Sequence, residues 1–112
     1  MSTVPEFDVT HESPSPDVLV VGVVGDLDMA SCPRVETILA SAPAGGRVLV
    51  DLTGCTFIDS AGVRMLMAAH RAVTAESGRV ELVAADPSIL RVLEITEVST
   101  MMPVHSTLAT AL

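Results

Sequence analysis

The chain has 112 residues, with fourteen acids against six bases and a formal net charge of −8. Nearly half of it is hydrophobic, so one domain of ordinary size can bury a core without disulfide or metal staples. The acidic balance argues against nucleic acid and anionic membrane surfaces as partners, and with Phe7 and Phe57 as the only aromatics stacking on bases is all but excluded.

In chain order, Met1 to Pro5 are expected to be disordered and a single domain to span residues 6–112. Glu6 to Thr10 suits a short edge strand, and Glu12-Ser13-Pro14-Ser15-Pro16-Asp17 a loop, because two prolines remove donors and fix φ. Val18 to Val24 is an almost unbroken apolar run, the pattern of a strand covered on both faces. Gly25-Asp26-Leu27-Asp28 stops it. Asp28 or a neighbour can cap the next helix, with Pro33 in its first turn and Val35, Ile38, Leu39 and Ala42 on one face. Pro43-Ala44-Gly45-Gly46 ends that helix.

Val48-Leu49-Val50 predicts the next strand, and Cys55 to Ile58 a second short apolar piece after Thr53-Gly54. Val63, Leu66, Met67, His70 and Val73 then recur at helical spacing. Ser60 stands where extended chain turns into this helix, and its hydroxyl is read as the helix cap. Gly78 is read as the closing C-cap glycine. Val80 to Ala84 predicts a strand with Leu82 and Ala84 alternating against Glu81 and Val83. Asp86-Pro87 caps a helix carrying Ile89, Leu90, Val92 and Leu93. Thr100 to Val104 suits a weak strand, and Ser106 to Leu112 a last helical turn. The order ββαβαβαβα predicts an α/β domain with a mixed, mostly parallel sheet and helices packed against it.

Little in this sequence carries chemistry of its own. It holds no G-x-G-x-x-G after a strand and no lysine, so a phosphate-cradling nucleotide loop is not expected. His11, His70 and His105 are scattered and Cys32 and Cys55 form no C-x-x-C, so no metal site and no cofactor are expected. His70 lies on the apolar stripe, where a satisfied, half-buried histidine is the expectation. Cys32 falls early in a helix whose dipole could lower a thiol pKa, yet nothing else activates it and packing is the default. Ser60 lacks the G-x-S-x-G elbow of a hydrolase. Residues 1–16 are acidic and Pro/Ser-rich rather than basic and then apolar, so no signal peptide is expected and a reduced, cytoplasmic setting is. Asp26, Asp28, Asp51 and Asp59 are read as strand-end or junction acids, able to gather at one edge of a parallel sheet or to serve as separate turn residues.

The run Val50-Asp51-Leu52-Thr53-Gly54-Cys55-Thr56-Phe57-Ile58-Asp59-Ser60-Ala61-Gly62-Val63 resembles the signature of STAS domains, in particular the bacterial anti-sigma factor antagonists. Gly25-Asp26-Leu27-Asp28 is similar to that family's Gly-Glu-Leu-Asp, and the segment from Asp86 to Thr96 to its Pro-x-x-x-Arg-x-Leu helix. The resemblance covers about residues 6–112. It implies a non-enzymatic binding switch, whose unmodified form binds an anti-sigma factor that is also a serine kinase and so frees the sigma factor. It implies phosphorylation of Ser60, which breaks the complex, and resetting by a PP2C-type phosphatase. It places Asp28, Asp59, Gly62, Val63 and Arg64 at the kinase interface. The alternative it leaves open is a STAS interaction subunit of a stress-signalling scaffold or lipid-transport complex. Three positions depart from the family pattern: Ala61 for a common Ser or Thr, Arg64 for a small residue, and Glu97 for a frequent Gly.

Overall fold

The apolar run at Val18 becomes the second of five strands in one sheet. A computed structural model describes residues 6–112; the disorder expected of Met1 to Pro5 lies outside the described residues. Strand β1 (Asp8–Ser15) pairs antiparallel with β2 (Val18–Leu27). The loop expected at 12–17 contracts to Pro16-Asp17. β1 runs on through Pro14, with an irregular register between Glu12 and Ser15, because β1 is a sheet edge and an edge strand can spare the donor that proline lacks.

Strands β3 (Arg47–Ile58), β4 (Arg79–Val83) and β5 (Val104–His105) follow in parallel, in spatial order β1-β2-β3-β4-β5. β3 is one continuous strand where two pieces were expected. Val18 faces Arg47, Val24 faces Gly54 and Asp26 faces Phe57, so β3 carries two residues more than β2 over that span and absorbs them as bulges. Thr53-Gly54 is thus a kink within the strand. A side chain at Gly54 would crowd Val24 Cγ2, at 3.0 Å from the added Cβ.

Helices α1 (Cys32–Leu39), α2 (Ser60–Ala75), α3 (Pro87–Ile95) and α4 (Val98–Met101) all contribute to one core. Val35, Leu66, Leu93 and Val98 meet Val21, Val50 and Leu82 of the sheet there. The fifth helix, α5 (Leu108–Ala111), lies on the opposite face, where Ala111 and Leu108 pack with Val20, Leu49 and Val83. β2 is therefore covered on both faces only around Val20, and Val24 is exposed.

The observed order ββαβαβααβα adds α4 to the expected one. Glu97 adopts a left-handed φ of 64° at the N-cap of α4. The chain then makes a helical turn that buries Val98 and Met102, one helical turn apart. The expected strand from Thr100 shrinks to Val104–His105. At the end of α2 the left-handed residue is Ser77 rather than Gly78. Gly78 serves close packing instead, since a Cβ there would lie 2.6 Å from the Gly46 carbonyl oxygen.

Glu81, expected to alternate outward, is buried in a cluster of charge. Arg47 donates to its carboxylate through Nε at 2.5 Å and an Nη at 3.0 Å, Arg79 donates through Nε at 2.8 Å, and His105 Nε2 lies 2.6 Å away. Arg47 also donates to the carbonyl of Ala111, which latches α5 to the start of β3. The Arg47 bond above all, with His105 and Arg79, holds the Glu81 carboxyl at about 2 against the opposing effect of burial.

A folded pKa of about 2 against an ordinary 4.5 means that this stabilisation is complete above pH 4.5 and is lost as the pH falls through 2. Glu81→Gln is expected to cost about 3 kcal/mol at neutral pH, with the gap to the parent closing on acidification; urea unfolding across the acid range reads it, and a gap independent of pH would refute the account. Glu97→Gly, which relieves the left-handed strain, is expected to stabilise by about 1 kcal/mol, seen as a Tm rise of about 4 °C.

Candidate functional site

Strands β2 and β3 end side by side, with Leu27 paired to Ile58. Each is followed at once by an aspartate, so Asp28 and Asp59 emerge together at the carboxyl edge of the sheet. The Asp59 N–H donates to the Leu27 carbonyl at 3.2 Å. Asp59 then caps α2: its Oδ1 accepts from Gly62 N at 2.9 Å and its backbone carbonyl from Val63 N at 3.1 Å. Its Oδ2 accepts from Met29 N at 3.3 Å, which ties the β2–α1 turn to the start of α2.

The cap is therefore Asp59 and not Ser60. The extended backbone of an N-cap falls on Asp59, with φ −95° and ψ −175°, and a carboxylate offers two acceptors where a hydroxyl offers one oxygen. Ser60 becomes the first residue of α2, exposed to solvent. Its hydroxyl has no hydrogen-bond partner among the described residues.

Asp28 is turned toward its own loop. Its Oδ1 accepts from Ala30 N and Ser31 N, both at 3.0 Å. Ser31, buried, answers by accepting from Asp28 N at 2.9 Å and donating to the Asp26 carbonyl at 2.8 Å. Asp26 lies close by and accepts from the Thr56 hydroxyl at 2.7 Å. Asp51 does not join them. It sits within β3, opposite Gly22 and Val83, and accepts from the Thr53 amide and hydroxyl.

Gly62 and Val63 are buried beneath this surface rather than on it. A Cβ on Gly62 would stand 2.7 Å from the Leu27 carbonyl oxygen and 2.9 Å from Ile58 Cγ2; the glycine lets the first turn of α2 rest on the ends of both strands. Arg64 is exposed, and it lines a groove between α1 and α2 together with Met29, Cys32, Glu36, Ala61 and Met65. Sequence reasoning missed two neighbours of the acids, Met29 at 76% exposure and Phe57 at 52%. They are the large apolar side chains beside this junction that the core leaves out, and no periodicity marks either as outward-facing.

The thiols are free and buried. Burial first, then the negative charges of Asp59, Glu36 and Asp28, push the Cys32 thiol above its ordinary pKa, so the helix start does not activate it. Cys55 is pushed up as well, chiefly by burial. His70 is half-buried as expected, but its Nδ1 is enclosed without a hydrogen-bond partner rather than satisfied. Among the described residues no helix is long and apolar enough to cross a membrane.

A five-stranded mixed sheet with α1 to α4 on one face and α5 on the other, and an Asp-Ser-Ala-Gly junction between β3 and α2, define the class. The family model described as "Mlab, STAS domain" matches residues 10–103, and the chain belongs to the STAS domain family. Among solved structures it is similar to an anti-sigma factor antagonist from Mycobacterium paratuberculosis, at 27% identity and a TM-score of 0.81, over 95% of this chain and 91% of that one. The anti-sigma factor antagonist SpoIIAA in its unphosphorylated form shares 20% identity with a TM-score of 0.75, over 93% of this chain and 92% of that one. The Bacillus cell fate determinant SpoIIAA in the phosphorylated form shares 19% with a TM-score of 0.72, over 93% of this chain and 96% of that one. At these last identities the likeness is one of fold. No curated protein matches the chain by sequence.

Gly62→Ala is expected to cost about 2 kcal/mol, since the methyl must displace backbone at Leu27 and overpacking outweighs the gain in helix propensity. Thermal unfolding of the purified variant measures it. A variant as stable as the parent would show that the close approach of α2 to β2 is not a constraint.

Proposed function

We propose that the protein is an anti-sigma factor antagonist that works as a phosphorylation switch. Unmodified, it binds an anti-sigma factor that is also a serine kinase, and the sigma factor is released. The kinase then transfers the γ-phosphoryl group of its bound ATP to the Ser60 oxygen: the bond from the γ-phosphorus to the bridging oxygen breaks, ADP leaves, and the hydroxyl proton passes to a base of the kinase. The complex dissociates, and a PP2C-type phosphatase hydrolyses the phosphoserine to restore the binding form.

The observation that carries this reading is the Ser60 hydroxyl, exposed and without a partner among the described residues, on a platform held by the Asp59 and Asp28 hydrogen bonds. A kinase needs such a group, free to enter its site at no cost in broken bonds. The platform also explains how modification can act without unfolding the domain. The phosphate adds about −1.5 to −2 charges at the first turn of a helix, where N–H groups lack intrahelical acceptors. The added charge falls beside Asp28 and Asp59, on a chain already at −8, so docking is weakened by desolvation and like-charge repulsion. Asp28 and Asp59 act in this account by shaping the loop and the helix start. Gly62 and Val63 support the surface from below, and Arg64 belongs to the face itself. The flanking Met29 and Phe57, both exposed, supply apolar area for a partner to cover.

Incubation with the cognate kinase and ATP is expected to give one phosphate per chain, mapped to Ser60 by mass spectrometry, and none in Ser60→Ala. Ser60→Asp is expected to weaken the complex at least about tenfold through its added charge. Modification elsewhere in the chain, or a permease or transport ATPase co-purifying in place of a kinase, would overturn the proposal.

A further inference from the structure

Arg64 is the one cation in the first two turns of α2, and among the described residues it is unengaged. Of the other arginines, Arg34 pairs with Asp8 and lies over the Phe7 ring, and Arg47 and Arg79 share Glu81. Arg71 and Arg91, exposed and likewise without an ion pair among the described residues, stand further along the chain, Arg71 later in α2 and Arg91 in α3. Arg64 forms no ion pair and no hydrogen bond among the described residues, although acids surround it. Glu36 lines the same α1–α2 groove, and Asp28, Glu36, Asp59 and Arg64 are all close enough to act on the Cys32 thiol. Asp28 and Asp59 have spent carboxylate oxygens on backbone amides, and Glu36 stands on the other wall of the groove.

Ser60 and Arg64 lie four residues apart within α2, which runs from Ser60 to Ala75. Residues at that spacing are stacked on one face, with Cβ atoms roughly 5–6 Å apart. Long side chains on a helix lean back toward its N-terminus, so the Arg64 guanidinium sweeps over the turn that begins at Ser60. A negative group placed N-terminal to a positive one at this spacing is the favourable orientation. A guanidinium also matches a phosphate with two parallel hydrogen bonds.

We propose that Arg64 is the internal counterion of phosphorylated Ser60, and that it leaves the mouth of the α1–α2 groove to pair with the phosphate. This rests on the reading of Ser60 as the modified residue and adds a second element to the switch. Phosphorylation then does more than add negative charge: it also withdraws an exposed cation from the face, together with whatever acidic contact a partner makes to it. The unmodified face presents Arg64 to a partner, and the modified face presents a phosphate already partly neutralised from within.

The test installs phosphoserine at residue 60 during translation, by amber suppression in the full chain, so that no kinase is required. The second phosphate ionisation is then followed by phosphorus NMR in the parent, Arg64→Ala and Arg64→Lys. The guanidinium favours the dianion, so removing it is expected to raise that pKa by about 0.3 unit. Arg64→Lys, which keeps the charge, is expected to fall closer to the parent, and the difference between parent and Arg64→Ala to shrink in about 1 M salt. Equal values in parent and Arg64→Ala overturn the proposal. So does a difference that survives high salt, which would point to altered packing rather than an ion pair. Failure of a kinase to modify Ser60 counts against the proposed function alone, because the phosphoserine here is supplied.

Discussion

The Asp59 carboxylate accepts from two amides that belong to different parts of the fold, Gly62 in the first turn of α2 and Met29 in the turn after β2. One side chain thereby sets the start of a helix and the position of the neighbouring loop. The close seat of Gly62 against Leu27 and Ile58 makes that arrangement sterically necessary as well as hydrogen-bonded. Ser60 follows from these two conditions. It is exposed because the residue before it has taken the cap and the residue two places later has taken the buried seat.

Much of the architecture was legible because it depends on local pattern. The stripe from Val63 to Val73 announces a helix with one buried face, and Asp86-Pro87 marks a helix start; in the structure Asp86 accepts from Ser88 N and Ile89 N. What escaped were features fixed by partners distant in sequence. Thr53-Gly54 looks like a turn to any local rule, and only the pairing of β3 with β2 turns it into a bulge. Glu81 sits in an alternating strand that promises an exposed acid, while the groups that bury it come from Arg47, Arg79 and His105. Adjacent Asp59 and Ser60 are both good capping residues, and no local rule decides between them. The decision is made by where β3 ends, which its pairing with Leu27 sets.

The charges divide between two ends of the sheet. At the amino ends of β3 and β4, a buried carboxylate is held among Arg47, Arg79 and His105, satisfied within the domain. At the carboxyl ends of β2 and β3, Asp26, Asp28 and Asp59 spend acceptors on nearby donors, and Arg64 has no ion pair among the described residues. The first arrangement stabilises a fold and offers a partner little. The second leaves a hydroxyl, a cation and two apolar side chains, Met29 and Phe57, exposed to solvent, and it is the end to which the proposed switch assigns the change of charge.

The latch between Arg47 and the Ala111 carbonyl settles where an experimenter can hold this molecule. It anchors the end of α5 at the opening of β3, whereas Ser60 follows the far end of that twelve-residue strand, on the order of 35 Å away. Polypeptide continuing or fused beyond Leu112 departs from the edge remote from Ser60. Immobilisation or fluorophore attachment there leaves the proposed docking face open, and a reporter dye so placed would sense a partner bound at Ser60 through tumbling rather than through direct contact.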